Sequence, residues 1–227
     1  MGETVGSREE QAAEVIDRLA ERYPEPEISL DFETRFQLLV AVVLSAQCTD
    51  ERVNKVTSTL FETYPDVEAF AAAEEAEIAD AIDSITYYNQ KAGYLKGAAE
   101  RIISEHDGEV PDTMSELTAL PGVGRKTANV VLQHAHDVTE GIVVDTHVQR
   151  ISRRLGLTEE KRPEKIEQDL MSVVPESEWQ EFTHWLISHG RDTCTARNPD
   201  CADCVLADIC PSAKTDNKID LASNEAW

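Results

Sequence analysis

Basic side chains are scarce in this chain of 227 residues, with 21 Lys and Arg set against 44 Asp and Glu for a formal net charge of −23. A uniformly negative surface repels phosphate, so charge alone argues against a nucleic-acid partner. Long apolar runs are also missing. The longest unbroken aliphatic stretch, Leu38 to Leu44, is far short of the roughly 20 residues that a membrane span requires. The opening Met-Gly-Glu-Thr has neither the basic nor the apolar region of a secretory leader, and the expectation is a cytoplasmic protein with no membrane partner. No segment reads convincingly as a strand, and neither an internal repeat nor a low-complexity tract is present. What remains, 41% hydrophobic and 29% charged residues, is the composition of a folded chain with room for one large or two small domains.

The few bases are unevenly placed. Between Thr118 and Arg154 five of them (Arg125, Lys126, Arg150, Arg153, Arg154) outnumber three acids, while acidic residues are spread over the other polar faces. Arg exceeds Lys by 13 to 8. Dispersed acidity of this kind looks like that of a protein from a high-salt cytoplasm, where screening weakens self-repulsion and hydrated carboxylates aid solubility.

Hydrophobic periodicity predicts helices throughout. Glu9 to Arg22 carries Ala12, Val15, Ile16 and Leu19 on one face and stops at Tyr23-Pro24-Glu25-Pro26. Helices are expected over Thr34 to Ala46, Asp50 to Tyr64, Val67 to Ala73, Glu75 to Ile82, Asn89 to His106, Thr113 to Leu117, Arg125 to Gln133, Glu164 to Val174 and Glu178 to His189, with short Asp-, Gly- and Pro-rich connections. The apolar triplet Ile142 to Val144 reads as a buried entry into the next helix. The fold class is therefore all α. The polar stretch from Lys214 to Trp227 lacks a period and is expected to fray.

Four of the five cysteines, Cys194, Cys201, Cys204 and Cys210, follow the pattern C-x6-C-x2-C-x5-C. In a cytoplasmic chain that grouping reads as a metal site before it reads as disulfides. Both zinc and an iron-sulfur cluster fit four thiolates. Structural zinc favours two C-x2-C knuckles, whereas this chain has one and two wider loops, which suit a larger cubane. Cys48 follows an apolar helical run and is expected to be a small buried residue.

Leu120-Pro121-Gly122-Val123-Gly124 precedes the helix that begins at Arg125. Two glycines in three residues permit positive φ and clear side chains from a tight turn, so that backbone N–H groups at a helix N-terminus can face an anion. Such a nest binds phosphate without a basic surface and reconciles the net charge with a DNA partner. Lys126 lies in the first turn of that helix, where the helix dipole and Arg125 both favour the neutral, nucleophilic amine. Asp145, just after the apolar triplet, is placed either to move a proton or stabilise charge on a sugar, or to cap the helix containing Val148 to Leu155.

Leu120-Pro121-Gly122-Val123-Gly124-Arg125-Lys126-Thr127-Ala128, Val144-Asp145-Thr146-His147 and the cysteine pattern, with Leu44-Ser45-Ala46-Gln47 and Tyr88-Asn89-x-Lys91-Ala92, together resemble the endonuclease III family of helix-hairpin-helix DNA glycosylases. The resemblance spans roughly Gln11 to Pro211. It implies two helical domains flanking a cleft: a six-helix barrel at residues 28–138 carrying the hairpin, and a cluster domain from residues 1–27 and 139–212, followed by a polar tail at 213–227. It also implies a monomer acting on double-stranded DNA with damaged bases or abasic sites, removing oxidised pyrimidines and then cleaving the strand. Lys126 would be the nucleophile on C1′ and Asp145 its assistant. Gln47 and Tyr87 would enter the base stack, Gly122, Val123, Gly124 and Arg125 would hold the DNA, and the four cysteines would bind a [4Fe-4S] cluster. Arg191 and Arg197 would reach phosphate from the cluster loop. Thr86 and Tyr87 depart from the glycine and aliphatic wedge common at those places. The acidity adds the expectation of a halophilic archaeal source. An adenine- or thymine-mismatch glycosylase would share hairpin, aspartate and cluster, and a silent cluster-bearing DNA-binding module hairpin and cluster; the presence of Lys126 argues against the first, and that of Lys126 together with Asp145 against the second.

Overall fold

The computed structural model describes residues 6–24 and 28–213. All regular structure among them is helical: α1 (Arg8–Arg22), α2 (Arg35–Ser45), α3 (Asp50–Thr63), α4 (Val67–Ala72), α5 (Glu75–Ala81), α6 (Tyr88–His106), α7 (Met114–Ala119), α8 (Arg125–His136), α9 (Thr146–Arg154), α10 (Pro163–Val173) and α11 (Trp179–Asp192), with one 3-10 turn at Glu176–Glu178. That turn was not visible in the periodicity. Glu25, Pro26 and the polar stretch from Lys214 to Trp227 lie outside the described residues.

Short polar side chains start many of these helices. Ser7 accepts from the Glu10 amide while Glu10 returns a bond to the Ser7 amide, closing a capping box on α1. Thr34, Thr49, Asp66 and Thr113 accept from the third amide of α2, α3, α4 and α7. Each cap satisfies a donor that the helix leaves orphaned.

The chain divides into two compact units, Ile28–Glu140 and a second assembled from Met1–Glu27 with Gly141–Trp227. Each has its own core. In Ile28–Glu140 the axis is α2, buried without a break from Phe36 to Leu44. Helices α3, α6 and α8 pack against it, which explains why this helix is apolar all round. Phe36 and Tyr64 meet Phe70 at ring-centroid distances of 5.3 and 5.5 Å. Cys48 is half-buried at the edge of this core, not enclosed as its sequence context suggested, because the chain has already left α2 and turned outward at Gln47.

In the other unit Ala12, Val15 and Leu19 of α1 join Val148, Ile151, Leu170, Phe182 and Leu186. Two long-range polar ties fix α1 there. The buried Gln11 amide donates to Leu155 O at 3.3 Å and Ile209 O at 2.9 Å, and Trp185 Nε1 donates to Tyr23 O at 3.1 Å. The segment Ile142 to Val144 is buried and non-helical, held by a bond from the Val143 amide to Thr183 Oγ1 at 3.2 Å. No described helix is long and apolar enough to cross a membrane.

Candidate functional site

Helices α7 and α8 and the five residues between them form the expected hairpin. Its two glycines serve different ends. Gly122 has φ +77°, and a Cβ there would lie 2.7–2.8 Å from the Tyr94 ring, so both backbone and space demand glycine. Gly124 has φ −91° and is the N-cap of α8, with no side-chain cap bond and nothing within 4 Å of a Cβ. Both glycines permit positive φ and Gly122 alone of the two adopts it; at Gly124 the missing side chain leaves the first-turn amides of α8 open to an incoming anion. Val123 is buried and anchors the turn, its amide bonded to Leu120 O at 3.2 Å. Arg125 and Lys126 are exposed in the first turn of α8.

Gln47 and Tyr87 lie in the same unit as the hairpin. Both are exposed and both hold left-handed backbone, at φ 55° and 59°. Non-glycine residues pay for that conformation, and such strain concentrates at functional loops. Beneath them lies a residue whose part the sequence did not disclose. Lys91 is 5% exposed and donates to Leu44 O at 2.8 Å and Ala46 O at 2.7 Å, the carbonyls at the end of α2. Burial pulls its ammonium below the ordinary lysine range. A lysine on an otherwise inward helical face was the available signal.

Asp145 belongs to the other unit. It is half-buried and is the N-cap of α9, its Oδ1 accepting from the His147 and Val148 amides at 2.8 Å each. Neither bond uses Oδ2. Capping and catalysis are therefore not exclusive readings: the cap fixes the carboxylate while leaving one oxygen uncommitted to it.

The last turns of α9 serve the cysteines. Arg150 donates to Gly190 O at 3.1 Å and Cys194 O at 3.0 Å, and Arg154 donates to Cys194 Sγ at 3.2 Å, Thr195 O at 2.8 Å and Ala196 O at 2.9 Å. Sequence reading counted these arginines as local positive charge and missed that they buttress the cysteine loop. Two arginines four residues apart in an acid-rich chain were the clue. Gly190 was also missed; a Cβ there would lie 2.5 Å from His147 Nδ1, 2.8 Å from Ile151 Cδ1 and 2.9 Å from the Arg150 guanidinium, so α9 and α11 approach closely because this residue is glycine.

Cys194, Cys201, Cys204 and Cys210 all line one pocket with Ile151, Leu155, Leu206 and His189. Among the described residues no three His, Cys, Asp or Glu side chains converge on a point that holds a single metal ion. Four thiols lining one pocket are the soft donor set that an iron-sulfur cluster takes. Two donors aim at sulfur, Arg154 at Cys194 and the Leu206 amide at Cys204 Sγ at 3.4 Å, and His189 Nε2 lies 3.6 Å from Cys204 Sγ as a partner whose role follows its tautomer. Burial pushes the thiols of Cys204 and Cys210 up, with the neighbouring cysteines adding to the effect. Arg191 and Arg197 are exposed on the flanks of this loop.

Comparison with known proteins agrees with these features. Residues 40–176 match the model of the HhH-GPD superfamily base excision DNA repair protein, and residues 194–210 match the iron-sulfur binding domain of endonuclease III. The chain is 50% identical to endonuclease III of Synechocystis sp. over 92% of its own length and 96% of that protein's. It is 43% identical to endonuclease III of Escherichia coli, over 87% and 93%. Among solved structures it resembles a trapped endonuclease III-DNA covalent intermediate with a TM-score of 0.87 and 41% identity, covering 91% of this chain and 97% of that one.

Proposed function

From the premise that this chain belongs to the endonuclease III family of base-excision DNA repair proteins, we propose a division of labour among its residues. The protein is a bifunctional DNA glycosylase and AP lyase that binds DNA and a [4Fe-4S] cluster. In our reading Lys126 Nζ attacks C1′ of the extruded nucleotide, and the base departs with the electron pair of the glycosidic bond. The sugar ring opens to leave a Schiff base between Nζ and C1′. The iminium acidifies the C2′ hydrogens; loss of one drives β-elimination of the 3′ phosphate, and water then releases Lys126. Asp145 takes the proton from the attacking amine and faces the charge developing on the sugar. The observation that carries this assignment is the exposure of Lys126 in the first turn of α8, directly after a side-chain-free nest suited to the flanking phosphate.

Gln47 and Tyr87 are proposed to fill the gap left by the extruded nucleotide, an exchange that costs a few kcal/mol and less for damaged bases. Their exposure and left-handed backbone support this. Oxidised pyrimidines are the proposed substrates. Residues 28–138 form the hairpin-bearing domain in this scheme, and residues 1–27 with 139–212 the cluster domain. The four cysteines hold the cluster, which supplies structure to the loop that carries Arg197 and follows Arg191 at the end of α11.

Borohydride reduction tests the chemistry: wild type is expected to be captured covalently on abasic DNA, and Lys126→Ala not. Equal capture by Lys126→Ala would refute the nucleophile.

We further propose that the protein acts as a monomer in the high-salt cytoplasm of a halophilic archaeon. The net charge of −23 supports this. A thermal midpoint that rises with potassium chloride, and a DNA affinity that falls only gently with it, are the expected results; a steep loss of affinity would instead point to many Lys and Arg contacts.

A further inference from the structure

Lys91 contacts both strained loops. Its ammonium holds the carbonyls of Leu44 and Ala46, and its own amide donates to Tyr87 O at 3.0 Å. Helices usually end with glycine in the left-handed position after the C-cap, and backbone amides close back on the last carbonyls. Here the C-cap is Ala46 and the left-handed residue is Gln47. An ammonium at the negative end of α2 takes up those carbonyls instead. Tyr87, four residues before Lys91, is the left-handed N-cap of α6. The Lys91 side chain thus braces the loop that presents Gln47, while its amide bond to Tyr87 O is the ordinary first-turn bond of α6, and a charge hidden from water is retained only with such partners.

We propose that Lys91 is a positioning residue that sets Gln47 in stack-entering geometry before DNA arrives. It bears on extrusion of the nucleotide and has no part in the bond-making at C1′. Buried beneath α2, its amine reaches no substrate, and burial-favoured neutrality would weaken its grip on the carbonyls without making it a second nucleophile. The inference rests on the assignment of Gln47 to the gap.

The test compares borohydride capture of an abasic site in duplex DNA with capture of the same site in a single strand, where no stack has to be entered. Lys91→Met is expected to slow capture on duplex about 10- to 100-fold and on single strand less than about twofold, as a misplaced positioning group does. In the Gln47→Ala background, Lys91→Met is expected to add little, because the two act through one loop. Equal losses on both substrates, no loss on duplex, or full additivity with Gln47→Ala would overturn the proposal. If Lys91→Met does not fold, Lys91→Gln, which keeps an N–H donor, undergoes the same comparison. Failure of wild type to be captured on either substrate would instead remove the assignment of Lys126.

Discussion

Replacing each hairpin glycine by alanine separates what the turn needs from what its ligand needs. In Gly122→Ala the backbone must keep φ +77° or refold, which costs about 1–2 kcal/mol for an L residue. Its Cβ also meets the Tyr94 ring at 2.7–2.8 Å, and forcing a packed ring aside costs about 1–3 kcal/mol. The sum, about 2–5 kcal/mol, lowers the thermal midpoint by about 4–20 °C for a chain of this size. Gly124→Ala has ordinary φ and open space, so its midpoint should stay within about 2 °C of wild type. Its Cβ, however, projects where a phosphate would approach the α8 amides. Loss of one charge-assisted bond, about 1.5 kcal/mol, weakens binding of abasic duplex about tenfold. Calorimetry and fluorescence anisotropy on the same preparations give both quantities. The reasoning fails if Gly124→Ala melts as early as Gly122→Ala, or if it binds DNA as tightly as wild type.

Asp145→Asn keeps a capping oxygen for α9, so stability should change by less than about 1 kcal/mol, while the rate of base release falls about 10²- to 10⁴-fold; a large drop in midpoint would mean the carboxylate is chiefly structural. Gly190→Ala forces α9 away from α11 at the cost of about 1–3 kcal/mol and should shed iron faster on heating, followed as iron content after desalting. Burial, with Arg35 adding to it, holds the His136 imidazole below its ordinary value. The unfolded chain then binds the proton more readily, so this contribution to stability is complete above about pH 6.5 and is lost as pH falls towards the lower folded value. His136→Asn should flatten that part of a pH series of urea titrations; an unchanged slope would assign the dependence to other histidines.

Local pattern carried most of the helices, because caps and apolar faces are written within a few residues. Leu38 to Leu44 announced a fully buried helix, and the Pro-Gly-x-Gly run announced the hairpin. Those features depend on neighbours in the chain. The roles of Lys91, Arg150, Arg154 and Gly190 depend on what lies across the fold: Lys91 answers carbonyls more than 40 residues away, as do the two arginines. A charge reads as solvated until its partners are known, and a helical glycine reads as a weak point until the opposite helix is in place. Gly124 shows the converse, since its residue type was legible but its dihedral was not.

The unit containing α1 is assembled from both ends of the chain, with the hairpin-bearing unit between them, and this imposes a timetable on synthesis. All of Ile28–Glu140 has left the ribosome once Glu140 emerges, yet α1 must wait for α10 and α11. At about 5–20 residues per second, roughly 4–14 s separate Glu140 from Cys210. During that interval Ala12, Val15 and Leu19 have no partner, and iron has no complete set of sulfurs to bind. A nascent chain that stalls before α10 and α11 emerge leaves Ala12, Val15 and Leu19 without the neighbours that bury them in the finished fold.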